Sequence, residues 1–309
     1  MERVRRWWQD LAGLVLPADC AGCGRSRTVL CPQCRRALHG HPPQRVRPVP
    51  EPAGLPAVHA AAPYADEVRA VLLAHKERGG LGLAGVLGVA LAGAVWVGLG
   101  EAGEGEGEGP LLVPVPSAPS TTRARGHDPA RRIALAAAGE LRRAGVRAQV
   151  ASVLRQRRAV ADQAGLNSRE RQDNLVGALA VLPGGGRLLR GGPVVLVDDL
   201  VTTGASLAEA ARAVRAATAA ATEPPGRAQG HCGTAGGAVG VTGNRGVEGV
   251  PGGGGGVSAV YAGVAREGTG VRRSRTGEGG VGVGGGGGGD VLCAAVVAAS
   301  PDSFGINRN

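Results

Sequence analysis

Four cysteines, Cys20, Cys23, Cys31 and Cys34, stand in the pattern C-x2-C-x7-C-x2-C. Each C-x2-C pair lets two thiolates approach one ion from a tight turn, and two such turns complete the tetrahedral sulfur set that zinc prefers. Four thiolates close the coordination sphere, so this spacing points to a structural Zn2+ that stabilises a small knuckle. Disulfides and a redox dithiol are the competing readings; a reducing compartment disfavours the first, and the second needs only one pair. Cys232 and Cys293 lie far from the group and carry no ligand spacing.

A different chemistry is carried by VVLVDDLVTTGAS, residues 194–206. Val194 to Val197 read as a strand buried on both faces, and its end presents two adjacent acids, Asp198 and Asp199, where ligands gather in an open parallel sheet. Vicinal ribose hydroxyls can donate to such carboxylates, which also draw Mg2+ to that side. Thr202, Thr203, Gly204, Ala205 and Ser206 then form a small-residue loop opening a helix. Hydroxyls and backbone N–H groups there can cradle a phosphate, with Gly204 allowing close approach. A strand ending in an acidic turn and a helix cap is the plain reading of either half, but the two halves in one short run are a much rarer combination.

These groups need a scaffold, and composition says where it lies. The chain has 309 residues with 56 Gly, 20 Pro and 43% hydrophobic residues, and 27 of the Gly fall within 223–290. That concentration predicts a Gly-rich disordered insertion at 223–290 and a folded remainder, and the lack of a strict three-residue period excludes collagen. The remainder reads as α/β. LLVPVP (111–116) is a short strand, Pro129 to Ala144 a helix, Ala148 to Leu154 and Val176 to Leu182 further strands, and Gly204 to Ala220 a helix. VLCAAVVAAS (291–300) reads as the last strand of the same sheet. Residues 1–40 are expected to hold an N-terminal helix and the zinc knuckle, with Val4, Trp7, Trp8, Leu11, Leu14 and Val15 at helical spacing. Residues 41–56 read as a Pro-rich linker, 57–222 plus 291–301 as the α/β domain and 302–309 as a tail. The uncharged run 81–100 has the length of a membrane span, yet six of its residues are Gly and no positive flank follows, so a buried helix is expected and no stable membrane span.

The formal charge is +10, from 35 Lys+Arg against 25 Asp+Glu, and Lys76 is the only lysine. Codon preference accounts for much of the Arg, but residues 120–190 alone hold 14 Arg against 5 acids, which suits a phosphate-rich ligand or a nucleic acid. The arginine block 155–171 lacks the interleaved aromatics that stack single-stranded bases. The N-terminal stretch has no secretory apolar core, so a cytoplasmic location is expected.

Through VVLVDDLVTTGAS the chain resembles the type I phosphoribosyltransferases, and with the cysteine knuckle in front it resembles the ComF (competence protein F, GntX-like) family. Further landmarks are Tyr64 to Lys76-Glu77-Arg78-Gly79, the VPVP strand, Arg125-Gly126 and the block Gln163, Leu166, Arg171, Asn174, Gly177. The resemblance implies a phosphoribosyltransferase-like parallel sheet that binds phosphoribosyl pyrophosphate with Mg2+. Asp198 and Asp199 would hold the ribose, Thr202 to Ser206 the 5′-phosphate, Pro116 and Ser117 the pyrophosphate, and Arg123 and Arg125 would supply positive charge to it. It also implies a link to competence or nucleotide metabolism. The alternative it offers is a non-catalytic factor that handles single-stranded DNA beside a helicase-like ATPase. One stretch departs from the family pattern: Arg125-Gly126 is followed by His127, Asp128 and Pro129, where a neutral amide is usual. His127 reads as a surface residue or a general base, and Pro129 as a first-turn helix residue.

Overall fold

Apolar runs separated by helical stretches make an α/β fold in the computed structural model, which describes residues 19–77, 81–103, 109–158, 175–222 and 291–305. In chain order the elements are α1 (Pro32–His39), β1 (Gln44–Val46), β2 (Val58–Pro63), α2 (Asp66–Glu77), α3 (Ala84–Glu101) and β3 (Leu111–Pro114). There follow α4 (Pro119–Arg125), α5 (Pro129–Arg143), β4 (Gln149–Val150), β5 (Leu154–Gln156), β6 (Leu179–Val181) and α6 (Gly185–Leu188). The last are β7 (Val194–Val201), α7 (Ala205–Thr222) and β8 (Val291–Ala299). Six strands form one sheet in the order β1-β2-β8-β7-β3-β4, and only β1 runs antiparallel to its neighbour.

Side chains alternate across the central strands and so divide the core into two. Val195, Val197, Ala295 and Val297 point to the face covered by α2, α3 and α5, while Val194, Leu196, Ala294 and Val296 point to the face covered by α7. Each fully buried Val or Leu on these faces contributes about 2 kcal/mol. The topology then decides where a ligand can enter. The crossover from β3 through α5 reaches β4 on one side, and that from β7 through α7 reaches β8 on the other. Because such crossovers are right-handed, the two helices must lie on opposite faces, and the chain splits apart above the C-terminal ends of β3 and β7.

Several expectations change in detail. The Pro-rich stretch 41–56 is not simply a linker, because Gln44 to Val46 pair with β2 and Val46 is buried. The cysteine knuckle is no separate module either: Cys20, Cys31, Cys34 and Leu38 share one core with α2 and α3. Ala148–Leu154 divides into β4 and β5, because the chain folds back between them, with the Val153 N–H donating to the Ala151 carbonyl. Val176–Leu182 shortens to β6, since Gly177 takes a left-handed φ of 70° and the Ala178 N–H closes a turn on Leu175. Helix α3 is long and apolar enough to cross a membrane, and half of its length is buried against the rest of the fold. The expected N-terminal helix, the greater part of the arginine block and the 223–290 insertion lie outside the described residues.

A buried acid ties the antiparallel β5–β6 pair to α7. The Glu209 carboxylate accepts the Leu179 N–H at 3.0 Å and the Arg212 guanidinium at 2.6 and 2.8 Å. Burial works against its charge, but Arg212 and the Leu179 N–H outweigh it and hold the carboxyl below its ordinary pKa. Its contribution is therefore present above the unfolded carboxylate range and is lost as pH falls through the folded value. Glu209→Gln is expected to lose about 2 kcal/mol at neutral pH, with the gap to wild type closing below about pH 4, read by urea unfolding across pH.

Candidate functional site

Strand β7 stays apolar through Val197 and turns acidic just past its last pairing with β3, while it continues alongside β8 to Val201. Asp199 is buried and Asp198 half-buried. Asp198 Oδ1 accepts the Asp199 N–H at 2.8 Å, which fixes the first carboxylate against the backbone of the second. Past the strand the chain turns at Gly204, whose φ of 76° suits glycine, and α7 begins at Ala205. A Cβ at Gly204 would lie 3.0 Å from Leu55 Cδ2 and 3.3 Å from Pro48 Cγ, so the 41–56 stretch packs directly under this loop.

Facing β7, the chain leaves β3 through Val115, Pro116, Ser117 and Ala118 and enters α4. Between the two strand ends lies an open cavity of about 630 Å³. The β7 side supplies Asp198, Asp199, Leu200, Thr202 and Ser206; the β3 side supplies Val115 to Ala118, Thr121 and Arg125. Gln156, Leu175 and Leu179 form another wall. The predicted residues thus meet in large part. Asp198, Asp199, Thr202, Ser206, Pro116, Ser117 and Arg125 line one cavity, whereas exposed Arg123, half-buried Thr203 and buried Gly204 and Ala205 are not among its lining.

Sequence reasoning gave Lys76 no place in the site. Helix α2 ends with its ammonium 2.8 Å from Asp199 Oδ2, and Lys76 also lines the cavity. Burial opposes the lysine charge, but Asp199 and then Asp198 outweigh it and raise the ammonium pKa above its ordinary value. The Asp198 carboxyl is pushed well up, by burial first and by the neighbouring Asp199 charge second. The signal available in the sequence was that a chain this rich in Arg keeps one lysine.

Asp128, Pro129 and His127 have structural work. Asp128 caps α5 by accepting the Arg131 N–H at 3.1 Å, and Pro129 takes the first helical turn, where no N–H is missed. The His127 ring nitrogens face two carbonyls, that of Arg125 at 3.1 Å and that of His75 at 3.3 Å, and the ring does not line the cavity. Buried His75 in turn donates to the Pro129 carbonyl at 3.5 Å.

At the N-terminus the sulfurs of Cys20, Cys23, Cys31 and Cys34 all lie within 4.8 Å of one another and can bind a metal such as zinc. No disulfide joins any of the four. Gly22 packs so tightly that a Cβ there would fall 2.7 Å from Cys34 Sγ. Cys31 caps α1, accepting the Cys34 N–H at 3.5 Å, and Cys20 Sγ accepts the Cys31 N–H at 3.3 Å. Burial opposes ionisation of Cys20, but N–H groups of Cys23, Cys31 and Gly22 prevail and bring it down to about 6. Cys34 moves the other way, raised by burial and by the neighbouring sulfurs. Three of the four are buried, which suits a closed structural centre. Comparison with protein-family models finds no match for this chain, and comparison with curated proteins finds none.

Proposed function

We propose that this protein binds phosphoribosyl pyrophosphate with Mg2+ in the cavity between β3 and β7, as a cytoplasmic phosphoribosyltransferase-type protein of the ComF kind. The observation that carries the reading is convergence: an acid pair, a hydroxyl-bearing loop at a helix start and a second loop with an arginine line one cavity at the point where the sheet's crossovers diverge. In this reading the Asp198 and Asp199 carboxylates accept the two ribose hydroxyls. Thr202, Ser206 and the first-turn N–H groups of α7 take the 5′-phosphate. The loop from Val115 to Ala118 takes the pyrophosphate, with the Arg125 guanidinium beside it.

Carboxylate and hydroxyl oxygens make a hard donor set, which fits Mg2+, with Asp198 and Asp199 as the residues to hold it on the sugar side. When bound, the ion neutralises the diphosphate. Transfer breaks the bond at the anomeric carbon, the pyrophosphate leaves with the electron pair, positive charge develops on the sugar, and the acceptor base or amine nitrogen forms the new bond there and gives up its proton. The chain's contribution is to hold both ends of the ligand and to place Arg125 against the departing charge, so positioning and electrostatics outweigh any dedicated base.

Calorimetry with phosphoribosyl pyrophosphate and MgCl2 tests the assignment on the wild type and on Asp198→Asn/Asp199→Asn. Binding by the wild type and a loss of at least about tenfold in the variant are expected. Indistinguishable titrations overturn the site. Pyrophosphate release in the presence of a panel of bases and amines then identifies the acceptor.

A further inference from the structure

Three facts about Lys76 belong together. It is the only lysine in a chain that otherwise places arginine at every basic position. Its ammonium lies 2.8 Å from Asp199 Oδ2 at the floor of the cavity, with the lysine side chain a quarter exposed and the aspartate almost wholly buried. Its place is braced, since the residue before it, His75, is bonded through its carbonyl to His127 and through its ring to Pro129 at the α4–α5 junction. Arg125 and Ala130, on either side of that junction, line the cavity, so the end of α2 is tied to an element that borders the cavity on its other side.

Lysine and arginine would do different things here. A guanidinium grips a carboxylate through two parallel hydrogen bonds and is weakly hydrated, so it stays. An ammonium is a compact point charge with one contact to Asp199, and another cation can replace it. For a carboxylate as deeply buried as that of Asp199 an unpaired charge is strongly unfavourable, so a positive partner beside it is stabilising. We propose that Lys76 is a displaceable counter-ion: it neutralises Asp199 in the empty cavity and yields the carboxylate to the divalent cation that arrives with a sugar diphosphate, acting as a positioning residue for the acid pair. The inference rests on the ligand reading given above. His127 serves the same device at one remove, holding the backbone from which Lys76 reaches Asp199.

The test uses the full chain and begins with MgCl2 alone. Lys76→Gln removes the competing charge and is expected to bind Mg2+ about tenfold more tightly than the wild type, whereas Lys76→Arg binds it more weakly. A purely structural lysine predicts no gain in either. Since the chain holds one lysine, 13C-lysine labelling gives one Cε resonance, and it should move when Mg2+ and phosphoribosyl pyrophosphate are added. In Asp199→Asn the resonance should sit near the free-lysine position from the start. Equal or weaker Mg2+ binding by Lys76→Gln overturns the counter-ion role even if the wild type binds the sugar diphosphate. Failure of the wild type to bind phosphoribosyl pyrophosphate overturns the ligand reading instead, and the Mg2+ titrations still decide the role of Lys76.

Discussion

Stripping the four-cysteine centre of metal, or replacing Cys34 by serine, is expected to lower the melting temperature of the whole fold by about 10 °C or more. The size follows from where the sulfurs lie. Cys20, Cys31 and Cys34 belong to the same core as Leu72 of α2 and Leu87 and Leu91 of α3, so the knuckle cannot open alone. Losing one ligand of a structural zinc site removes several kcal/mol of binding energy that is also folding energy. About 4 kcal/mol in a domain of roughly 200 residues corresponds to about 10 °C. Cys23 is the exposed ligand, so Cys23→Ser should lose the metal with less damage to packing than Cys34→Ser. Scanning calorimetry with and without chelator, alongside a zinc assay expected to give one ion per chain, measures both. A melting temperature unchanged after the metal is gone would show that the cluster does not hold the fold together.

The second large effect concerns two glycines with opposite outcomes. Gly88 of α3 lies against α5 so closely that a Cβ would overlap Ala136 and come within 2.9 Å of the Ala137 backbone nitrogen. Backbone cannot step aside as a side chain can, so Gly88→Ala is expected to lose about 3 kcal/mol. Gly139 lies within α5 itself, with open space where its Cβ would be. Gly139→Ala there should gain about 1 kcal/mol, the ordinary helix preference of alanine over glycine. Urea unfolding of the two variants under one set of conditions gives the comparison. A similar small gain for both would mean that α3 and α5 do not approach as closely as described.

What could be read from sequence was local. The strand, the acids and the helix start all fall within residues 194–206, so each signal supports its neighbour, and the cysteine pairs announce themselves through spacing. What could not be read depends on partners distant along the chain. Lys76 meets Asp199 only because α2 ends above a strand more than a hundred residues further on, and no local pattern carries that pairing. The strand β1 was hidden by the prolines on either side of it, which composition assigns to a linker, although Gln44 to Val46 include none and are free to pair with β2. Arg123 and Arg125 look alike as neighbours in a basic run, but on a short helix they point differently, and only Arg125 lines the cavity. Pro129 was legible as a first-turn helix residue, but that Asp128 is the cap of the same helix shows only in its bond to the Arg131 N–H.

The order in which the sheet can be assembled has a consequence for biosynthesis. Strand β8 lies between β2 and β7, in the middle of the sheet, yet it is the last strand to be made and 68 residues separate it from the end of α7. At the usual speed of translation those residues take roughly 3 to 14 s to synthesise. For that interval β2 and β7 each present an unpaired inner edge, and the acid pair at the end of β7 stands without the neighbour strand that aligns it. The sheet must therefore close after the ribosome has passed residue 299, and a product cut short within the glycine-rich stretch would carry two open edges and every residue of the cavity lining but no closed sheet to hold them.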